Sequence, residues 1–241
     1  MDFSGKRVLV TGAGKGIGRD TCQQLSARGA QVIALSRNPA DLASLADETG
    51  CETLCADLGD ARSTIDHATR ALPVDMLVNC AGIVRVAAFL DTTLEDWNDT
   101  LSTNTVAPLL LSQVVARDWL ARKTGGVIVN VSSIAAHFGT PRHAAYCASK
   151  AALDALTRVM AVELGPFGIR TNSVNPVVTL TPMGIATWSD PQRAAPMLQR
   201  IPLQRFAQPG DVTGAILFLL GDAASMVNGV CLDVDGGFCA S

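Results

Sequence analysis

The sequence predicts an α/β protein with a doubly wound parallel sheet, on three observations. Short apolar runs alternate with longer helical patterns along all 241 residues. No low-complexity linker or change of composition divides the chain. With 48% hydrophobic residues, a chain of this length can fill one large core. We therefore expect a single domain over residues 1–241, with a seven-stranded parallel sheet and helices on both faces.

The strands are expected in the short apolar runs. The predicted strands are residues 7–11, 31–36, 52–56, 76–79, 127–131, 170–175 and 230–234. The helical patterns between them have recognisable ends. Asn38 with Pro39 is typical of an N-cap and first turn, and Gly50 is typical of a helix stop. Ligands bind such a sheet at the carboxyl ends of its strands.

Charge and composition exclude several classes of protein. The formal net charge is -3 and the positive residues form no run, so nucleic acid is not an expected partner. The longest apolar runs, such as residues 215–220, are far shorter than the roughly 18 residues of a membrane span. The first residues lead directly into a strand-like run and leave no room for a signal peptide. Seven cysteines favour reduced thiols in a cytoplasmic protein, and Cys51 and Cys55 do not form a metal cage.

The first predicted strand leads directly into TGAGKGIG, residues 11–18. Its glycines have the spacing GxxxGxG, which lets the backbone approach a pyrophosphate at the start of a helix. Alone, this pattern could be a plain strand-to-helix turn. Polar or small residues also follow the third and fourth strands, namely Asp57, Leu58, Asn79, Ala81 and Gly82. Asp57 could accept a hydrogen bond from an adenine amino group, although an isolated Asp here is more often a helix cap.

The strongest indication of chemistry is the pair Tyr146 and Lys150 in YCASK. Residues i and i+4 share one helix face, so an ammonium can lie beside the phenol and favour its ionised form. This would bring a pKa of about 10 closer to neutrality, where the phenol can exchange a proton with a carbonyl or alcohol. The chain contains one tyrosine, so this spacing is unlikely to arise by chance.

Polar residues elsewhere in the chain could complete this site. Ser133 follows the fifth predicted strand and could donate a hydrogen bond to the same carbonyl oxygen. Ser132 is the alternative, although its side chain should point the other way. Asn104 is a polar residue in an otherwise helical pattern, where it could also form only a local helix hydrogen bond.

These motifs together resemble the short-chain dehydrogenase/reductase family over essentially the whole chain. They are TGAGKGIG, NCAG at 79–82, Asn104, Ser133, YCASK, NSVNP at 172–176 and DVDGGF at 233–238. The resemblance implies a Rossmann-type fold and an NAD(P)-dependent oxidoreductase acting on CH–OH groups. It implies that Tyr146 is the general acid in reduction and that Lys150 lowers its pKa and holds the nicotinamide ribose. Ser133 would stabilise the substrate oxygen, and Asn104 would support a water that relays protons.

The end of the second strand indicates the cofactor. Ser36 stands where an acidic residue commonly holds a ribose 2′-hydroxyl, and Arg37 beside it is suited to a phosphate. Lys15 can approach the same point. Two cations without a carboxylate predict NADPH rather than NADH, unless Arg37 only solvates a helix start. The expected cofactor contacts are Gly12, Lys15, Gly16, Ile17, Gly18, Ser36, Arg37, Asp57, Leu58, Asn79, Ala81, Gly82, Tyr146, Lys150, Thr179 and Thr181.

Longer stretches resemble the L-xylulose reductase or dicarbonyl reductase group, the tetrameric carbonyl reductases of the family. They are LVTGAGKGIGR, VNPVVTLTPMG, ATWSDP, RIPLQRFA and GGF. This resemblance implies a homotetramer that reduces small α-dicarbonyls or ketoses, with His143 and Trp188 beside the substrate together with Ser133 and Tyr146. His143 could instead cap a helix, and Trp188 could anchor a lid over residues 179–200.

Two other functions remain open from the sequence. One is an oxidoreductase for another secondary alcohol, such as a polyol or a 3-oxoacyl thioester; the other is a catalytically silent nucleotide-binding protein. Retention of all four candidate catalytic residues favours an enzyme. Cys80 and Val177 depart from the commonest family pattern, which affects only local loop geometry. For assembly with two-fold axes, we expect apolar surface on residues 215–220 and 230–241.

Overall fold

The predicted strands pair into one parallel sheet in the order β3-β2-β1-β4-β5-β6-β7. The computed structural model describes residues 1–240, without the side chains of Thr187 and Arg193, so predictions that include Ser241 lie partly outside the described residues. The strands are β1 (Arg7–Thr11), β2 (Gln31–Ser36), β3 (Glu52–Cys55), β4 (Met76–Asn79), β5 (Gly126–Val131), β6 (Ile169–Pro176) and β7 (Cys231–Val234). Every neighbouring pair is parallel, which confirms the predicted fold class.

Helices connect these strands, and α2 begins and ends where the sequence indicates. They are α1 (Gly16–Ser26), α2 (Pro39–Thr49), α3 (Ala61–Ala71), α4 (Leu94–Leu101), α5 (Ala107–Arg122), α6 (Ala144–Leu164), α7 (Pro182–Trp188), α8 (Pro191–Gln199) and α9 (Pro209–Leu220). Asn38 caps α2 by accepting hydrogen bonds from the N–H groups of Ala40 and Asp41. Gly50 ends the same helix with a φ of 69°, a conformation that favours glycine. Both predicted ends of α2 are therefore confirmed.

The helices bury both faces of the sheet. On β1, Val8 and Val10 lie in one core with residues of α1, α2 and α9. Leu9 points to the opposite face and lies in a second core with residues of α3, α5 and α6. Because both faces are covered, the central strands β1, β4 and β5 are largely apolar runs.

The direction in which strands are added reverses between β1 and β4. This reversal opens a crevice at the carboxyl ends of the two strands. Thr11 joins these ends, because its Oγ1 accepts hydrogen bonds from the N–H groups of Cys80 and Ala81 at 3.0 and 3.1 Å. Gly12 follows with a φ of 65°, and a Cβ there would lie 2.8 Å from the Ala81 backbone. The first glycine of the loop is therefore needed for close approach of the two strand ends.

One surface prediction from the sequence is wrong. Within residues 215–220, Ile216, Leu217, Leu219 and Leu220 are buried, because α9 needs this apolar face to cover the sheet. Exposed apolar side chains lie on several other elements, and those on α5, on α6 and just after α6 include Leu120, Val159, Val162 and Phe167. Within residues 1–240, we find no helix with the length and hydropathy needed to cross a membrane.

Candidate active site

A cavity of about 1110 Å³ occupies the crevice, slightly above the usual size range of ligand pockets. It extends from the glycine loop to α7 and α8. The predicted site residues that line it are Gly12, Lys15, Gly16, Ile17, Gly18, Ser36, Arg37, Asp57, Leu58, Ala81, Gly82, Ser133, His143, Tyr146, Lys150, Thr179, Thr181 and Trp188. Asn79 and Asn104 do not line it. The fold thus brings nearly all of the predicted site residues to one place.

The N-terminus of α1 has no side-chain cap. Its N-cap residue is Lys15, whose ammonium cannot accept a hydrogen bond, and no cap hydrogen bond is formed. By contrast, the side chains of Asn38 and Asp60 cap α2 and α3. Amide groups in the first turn of α1 therefore need acceptors from elsewhere, and phosphate oxygens at this end of the cavity would supply them. The residues present fit the pyrophosphate of a dinucleotide.

The end of the cavity beside β2 contains a carboxylate that the sequence prediction excluded. Ser36 and Arg37 line this end as expected, but Asp41 in the first turn of α2 lines it too. The Oδ2 atom of Asp41 lies 3.2 Å from Nζ of Lys15. The prediction of two cations without a carboxylate is therefore wrong. Asp41 was missed because only the direction of α2 brings it back beside the glycine loop.

Asp57 lies in a turn after β3 and does not cap a helix. Its Oδ1 accepts a hydrogen bond from the N–H of Gly59 at 2.9 Å, and the N-cap of α3 is Asp60. The helix-cap alternative for Asp57 is therefore wrong. Its exposed carboxylate lines the same end of the cavity as Leu58, so contact with an adenine amino group stays a prediction.

Tyr146, Lys150 and Ser133 meet in the middle of the cavity. Nζ of Lys150 lies 5.7 Å from the centroid of the Tyr146 ring and donates a hydrogen bond to the Val131 carbonyl at 2.8 Å. Oγ of Ser133 accepts from the N–H of Ala135 at 3.1 Å, which leaves its proton for another acceptor. Ser132 is buried and donates to the Lys150 carbonyl. Ser133 is therefore the serine placed to act with Tyr146.

Burial sets the protonation of this group. Burial raises the pKa of Tyr146 above its ordinary value of 10.0, and the hydrogen bond with Ser133 offsets only part of this effect. Burial also lowers the pKa of Lys150 to about 8. In the protein alone, the pKa of Tyr146 thus shifts in the opposite direction to the sequence prediction, because desolvation of the phenol is the largest effect on it. The phenol stays protonated at neutral pH and is ready to donate.

Asn79 does not contact the cavity through its side chain. It is buried at the end of β4, where its Nδ2 donates to Oδ1 of Asn130 at 2.8 Å and to Oγ of Ser112 at 3.3 Å. The amide therefore joins β4 to β5 and α5. The side chain points into the packing of the sheet and does not line the cavity, and contact of Asn79 with a cofactor stays a prediction.

Asn104 lies in a π-helical turn, Ser102–Val106, between α4 and α5. Its Oδ1 accepts from the N–H of Ile83 at 2.8 Å, and its Nδ2 donates to the Ile83 carbonyl and to Oγ of Ser149. A Cβ at Gly82 would lie 3.4 Å from Oδ1 of Asn104 and 3.5 Å from Nζ of Lys150. The alternative of a local helix hydrogen bond is wrong. Asn104 fixes the loop after β4 near Lys150, and its role in a water relay stays a prediction.

His143 lines the cavity, and its ring has a hydrogen-bond acceptor at Nε2 when it is neutral. Its ring lies edge-on to Tyr146 with centroids 6.2 Å apart, and Nδ1 lies 2.7 Å from the Pro141 carbonyl oxygen. Because a carbonyl oxygen only accepts, Nδ1 carries the hydrogen and Nε2 has a lone pair. His143 is the N-cap residue of α6, as the alternative from the sequence held, but its ring makes no cap hydrogen bond to that helix.

Trp188 combines the two roles considered from the sequence. It lines the cavity, and its ring packs against Phe206 with centroids 6.2 Å apart. The same apolar cluster contains Ala194 and Leu198 of α8. Trp188 therefore anchors α7 and α8 over the site while facing it.

The cavity is also lined by two threonines, Thr179 and Thr181, and by the two residues that depart from the family pattern, Cys80 and Val177. Thr179 donates to the Val177 carbonyl, and Oγ1 of Thr181 caps α7 by accepting from the N–H of Gly184. Burial raises the pKa of the Cys80 thiol to about 12, so this cysteine is not a thiolate at neutral pH. Val177 is buried in the cluster below α8. Neither departure displaces a candidate catalytic group.

The site can exchange a proton with an oxygen atom placed between Ser133 and Tyr146, in a cavity suited to a dinucleotide.

Comparisons with known proteins agree with this interpretation of the site. A family profile described as enoyl-(acyl carrier protein) reductase matches residues 12–239. L-xylulose reductase from Bos taurus is 53% identical over 242 residues, covering 100% of this chain and 99% of the relative. D-erythrulose reductase from Gallus gallus is 49% identical, covering 100% of this chain and 98% of the relative.

A solved structure shares the fold over the same length. It is a candidate NAD(P)-dependent gluconate 5-dehydrogenase from Beutenbergia cavernae with NADP bound at low occupancy. It is 37% identical with a TM-score of 0.96, and the match covers 100% of this chain and 99% of that chain. The chain therefore belongs to the short-chain dehydrogenase/reductase family of oxidoreductases.

Titration of Tyr146 tests the electrostatics of this site. Because the chain contains one tyrosine, the ultraviolet absorbance of tyrosinate reports Tyr146 alone. In the protein without ligand we expect a midpoint above the ordinary value of 10.0, since burial raises the pKa. Ser133→Ala should raise the midpoint further, because Ser133 lowers this pKa. Circular dichroism checks that the fold persists, and Tyr146→Phe gives the blank. A midpoint below 10.0 would contradict the dominance of burial.

Proposed function

We propose that this protein is an NADPH-dependent carbonyl reductase for small ketoses and α-dicarbonyls. The observation that carries the proposal is the convergence of Ser133 and Tyr146 in the same cavity as the uncapped N-terminus of α1. The first arrangement suits an oxygen that gains a proton, and the second suits a dinucleotide. The relatives named L-xylulose reductase and D-erythrulose reductase support a ketose substrate.

The chain's own residues would manage the proton and the position of the substrate. NADPH, when bound, would supply the hydride to the carbonyl carbon. Ser133 would donate a hydrogen bond to the carbonyl oxygen, and Tyr146 would transfer its phenolic proton to that oxygen as charge develops there. Lys150 would hold the ribose and, with Asn104 fixed behind it, would return a proton to Tyr146 from solvent. Oxidation would run through the same groups in reverse.

The preference for NADPH would come from the end of the cavity beside β2. Arg37 lines this end and is exposed, so its guanidinium can meet a 2′-phosphate without a large change of fold. Lys15 adds a second cation. The NADP bound to the structural relative supports this assignment.

Arg37→Ala should separate the two nicotinamide cofactors. We expect the variant to bind NADPH roughly ten- to a hundredfold more weakly and NADH almost unchanged, because only NADPH loses a charge-assisted hydrogen bond. Fluorescence titration of the protein with each cofactor measures both constants. Arg62→Ala is the control, since Arg62 is an exposed arginine on α3 that does not line the cavity. Equal losses for both cofactors would contradict the assignment of Arg37.

The substrate preference would follow from His143. With Nδ1 bound to Pro141, the neutral ring can accept a hydrogen bond from a hydroxyl on the carbon next to the carbonyl. A 2-ketose supplies such a hydroxyl, whereas a dicarbonyl offers only another acceptor. In this proposal His143 therefore acts as a hydrogen-bond acceptor for the substrate. Ketoses are the favoured substrates in this proposal, and dicarbonyls react because they are strongly electrophilic.

A set of substrates with one carbon skeleton tests this assignment. His143→Leu should lower kcat/KM for acetoin by roughly tenfold, the value of about one hydrogen bond, and change diacetyl and butanone by less than about threefold. L-xylulose should behave like acetoin. His143→Gln should retain most of the acetoin activity, because its amide oxygen can accept. A loss for diacetyl as large as that for acetoin would show that the ring donates instead.

We further infer a homotetramer with two-fold axes in the cytoplasm. Val159 and Val162 share the outer face of α6 and are 50% and 77% exposed, and β7 leaves one edge of the sheet unpaired among the described strands. Unpaired thiols at all seven cysteines favour a reducing compartment, which cell fractionation would test.

Light scattering at micromolar concentration tests the assembly. We expect the mass of four protomers for the native chain and a smaller species for Val162→Glu, because a buried carboxylate at an interface is costly. A monomeric native chain would contradict the inference.

A further inference from the structure

Asp41 places a carboxylate on the cavity wall formed by Ser36 and the glycine loop. A Cβ built on Gly14 would lie 3.0 Å from Cβ of Asp41, 3.0 Å from Oγ of Ser36 and 3.5 Å from Oδ2 of Asp41. The same Oδ2 lies 3.2 Å from Nζ of Lys15. The carboxylate therefore borders both the serine and the lysine of the expected phosphate site.

The backbone of Asp41 is fixed relative to the glycine loop. The guanidinium of Arg19 donates to the carbonyl oxygens of Gly14 and Asp41 at 3.3 and 3.2 Å, and it also pairs with Glu48. Asn38 accepts a hydrogen bond from the N–H of Asp41. Only rotation of its side chain can move the carboxylate away from an arriving ligand.

The position of Asp41 makes it a competitor of a phosphate. In the protein alone, its carboxylate is the counter-ion of Lys15. A phosphate monoester carries a charge of about -1.5 to -2, so it would repel this carboxylate and attract the same lysine. NADPH must therefore weaken the pair between Lys15 and Asp41, whereas NADH leaves it intact.

On the basis of the proposed NADPH function, we propose that Asp41 is a specificity-determining residue that competes with the 2′-phosphate for Lys15. It limits the preference for NADPH over NADH and speeds release of the phosphorylated cofactor. Arg37 and Asp41 then act in opposite directions at one site, the first favouring the phosphate and the second weakening its hold.

Asp41→Asn removes the charge and keeps the shape of the side chain. We expect its Kd for NADPH to fall roughly five- to tenfold and its Kd for NADH to change less than about twofold. Adenosine 2′,5′-bisphosphate should raise the melting temperature of the variant more than that of the native chain, whereas adenosine 5′-monophosphate should act equally on both. These binding measurements do not require turnover. Asp41→Ala should shift the constants in the same direction.

Two further variants separate a local effect from a change of net charge. Asp47→Asn lies on the same helix, is exposed and does not line the cavity, so it should leave both constants unchanged. Lys15→Ala should weaken NADPH binding, and Asp41→Asn should gain less in that background, because the competition for the ammonium is gone.

Each contrary result has a distinct meaning. If the native chain binds NADPH and Asp41→Asn binds it equally or more weakly, the role of Asp41 is refuted while the proposed function stands. Equal tightening for NADH and NADPH refutes it as well. If the native chain binds neither cofactor, the proposed function fails and the role of Asp41 fails with it.

Discussion

The close approach of the ends of β1 and β4 is the constraint on which the site depends. Thr11 holds the two strand ends together through the N–H groups of Cys80 and Ala81. The strand ends lie so close that position 12 has no room for a side chain and needs a glycine. Because the strand order reverses at this contact, the crevice beside it opens toward both halves of the sheet. The start of α1 supplies one side of the cavity, and the residues after β5 and along α6 supply the other.

Burial then gives the polar groups of the crevice their chemical character. The same loss of water that raises the pKa of Tyr146 lowers the pKa of Lys150 to about 8, so the phenol is held protonated and the ammonium gives up its proton more easily. Repeated reduction of a carbonyl needs a proton donor and a nearby group that can return a proton to this donor. Asn104 contributes by position, since it fixes the loop after β4 against α6.

The sequence predicted features that depend on nearby residues, and it missed those that depend on distant ones. The central strands β1, β4 and β5 were found because they are largely apolar runs buried on both faces. Tyr146 and Lys150 were found because their spacing is a property of one helix. Asp41 was missed because a turn of the chain and the start of α2 bring it to Lys15. The prediction of exposed apolar surface on α9 was wrong, because apolar composition does not show which neighbouring element covers a helix. The hydrogen-bonding partner of His143 could not be predicted from the sequence, because the loop before α6 brings the Pro141 carbonyl to its ring.

The central claim is that the phenolic hydroxyl of Tyr146 donates the proton during reduction. The same hydroxyl is not needed for binding of the cofactor. Tyr146→Phe removes that hydroxyl alone, so cofactor binding and reduction of L-xylulose can be measured on one variant. The account predicts that kcat falls roughly a hundredfold or more while the Kd for NADPH stays within about twofold of the native value. Turnover within about threefold of the native enzyme would contradict it.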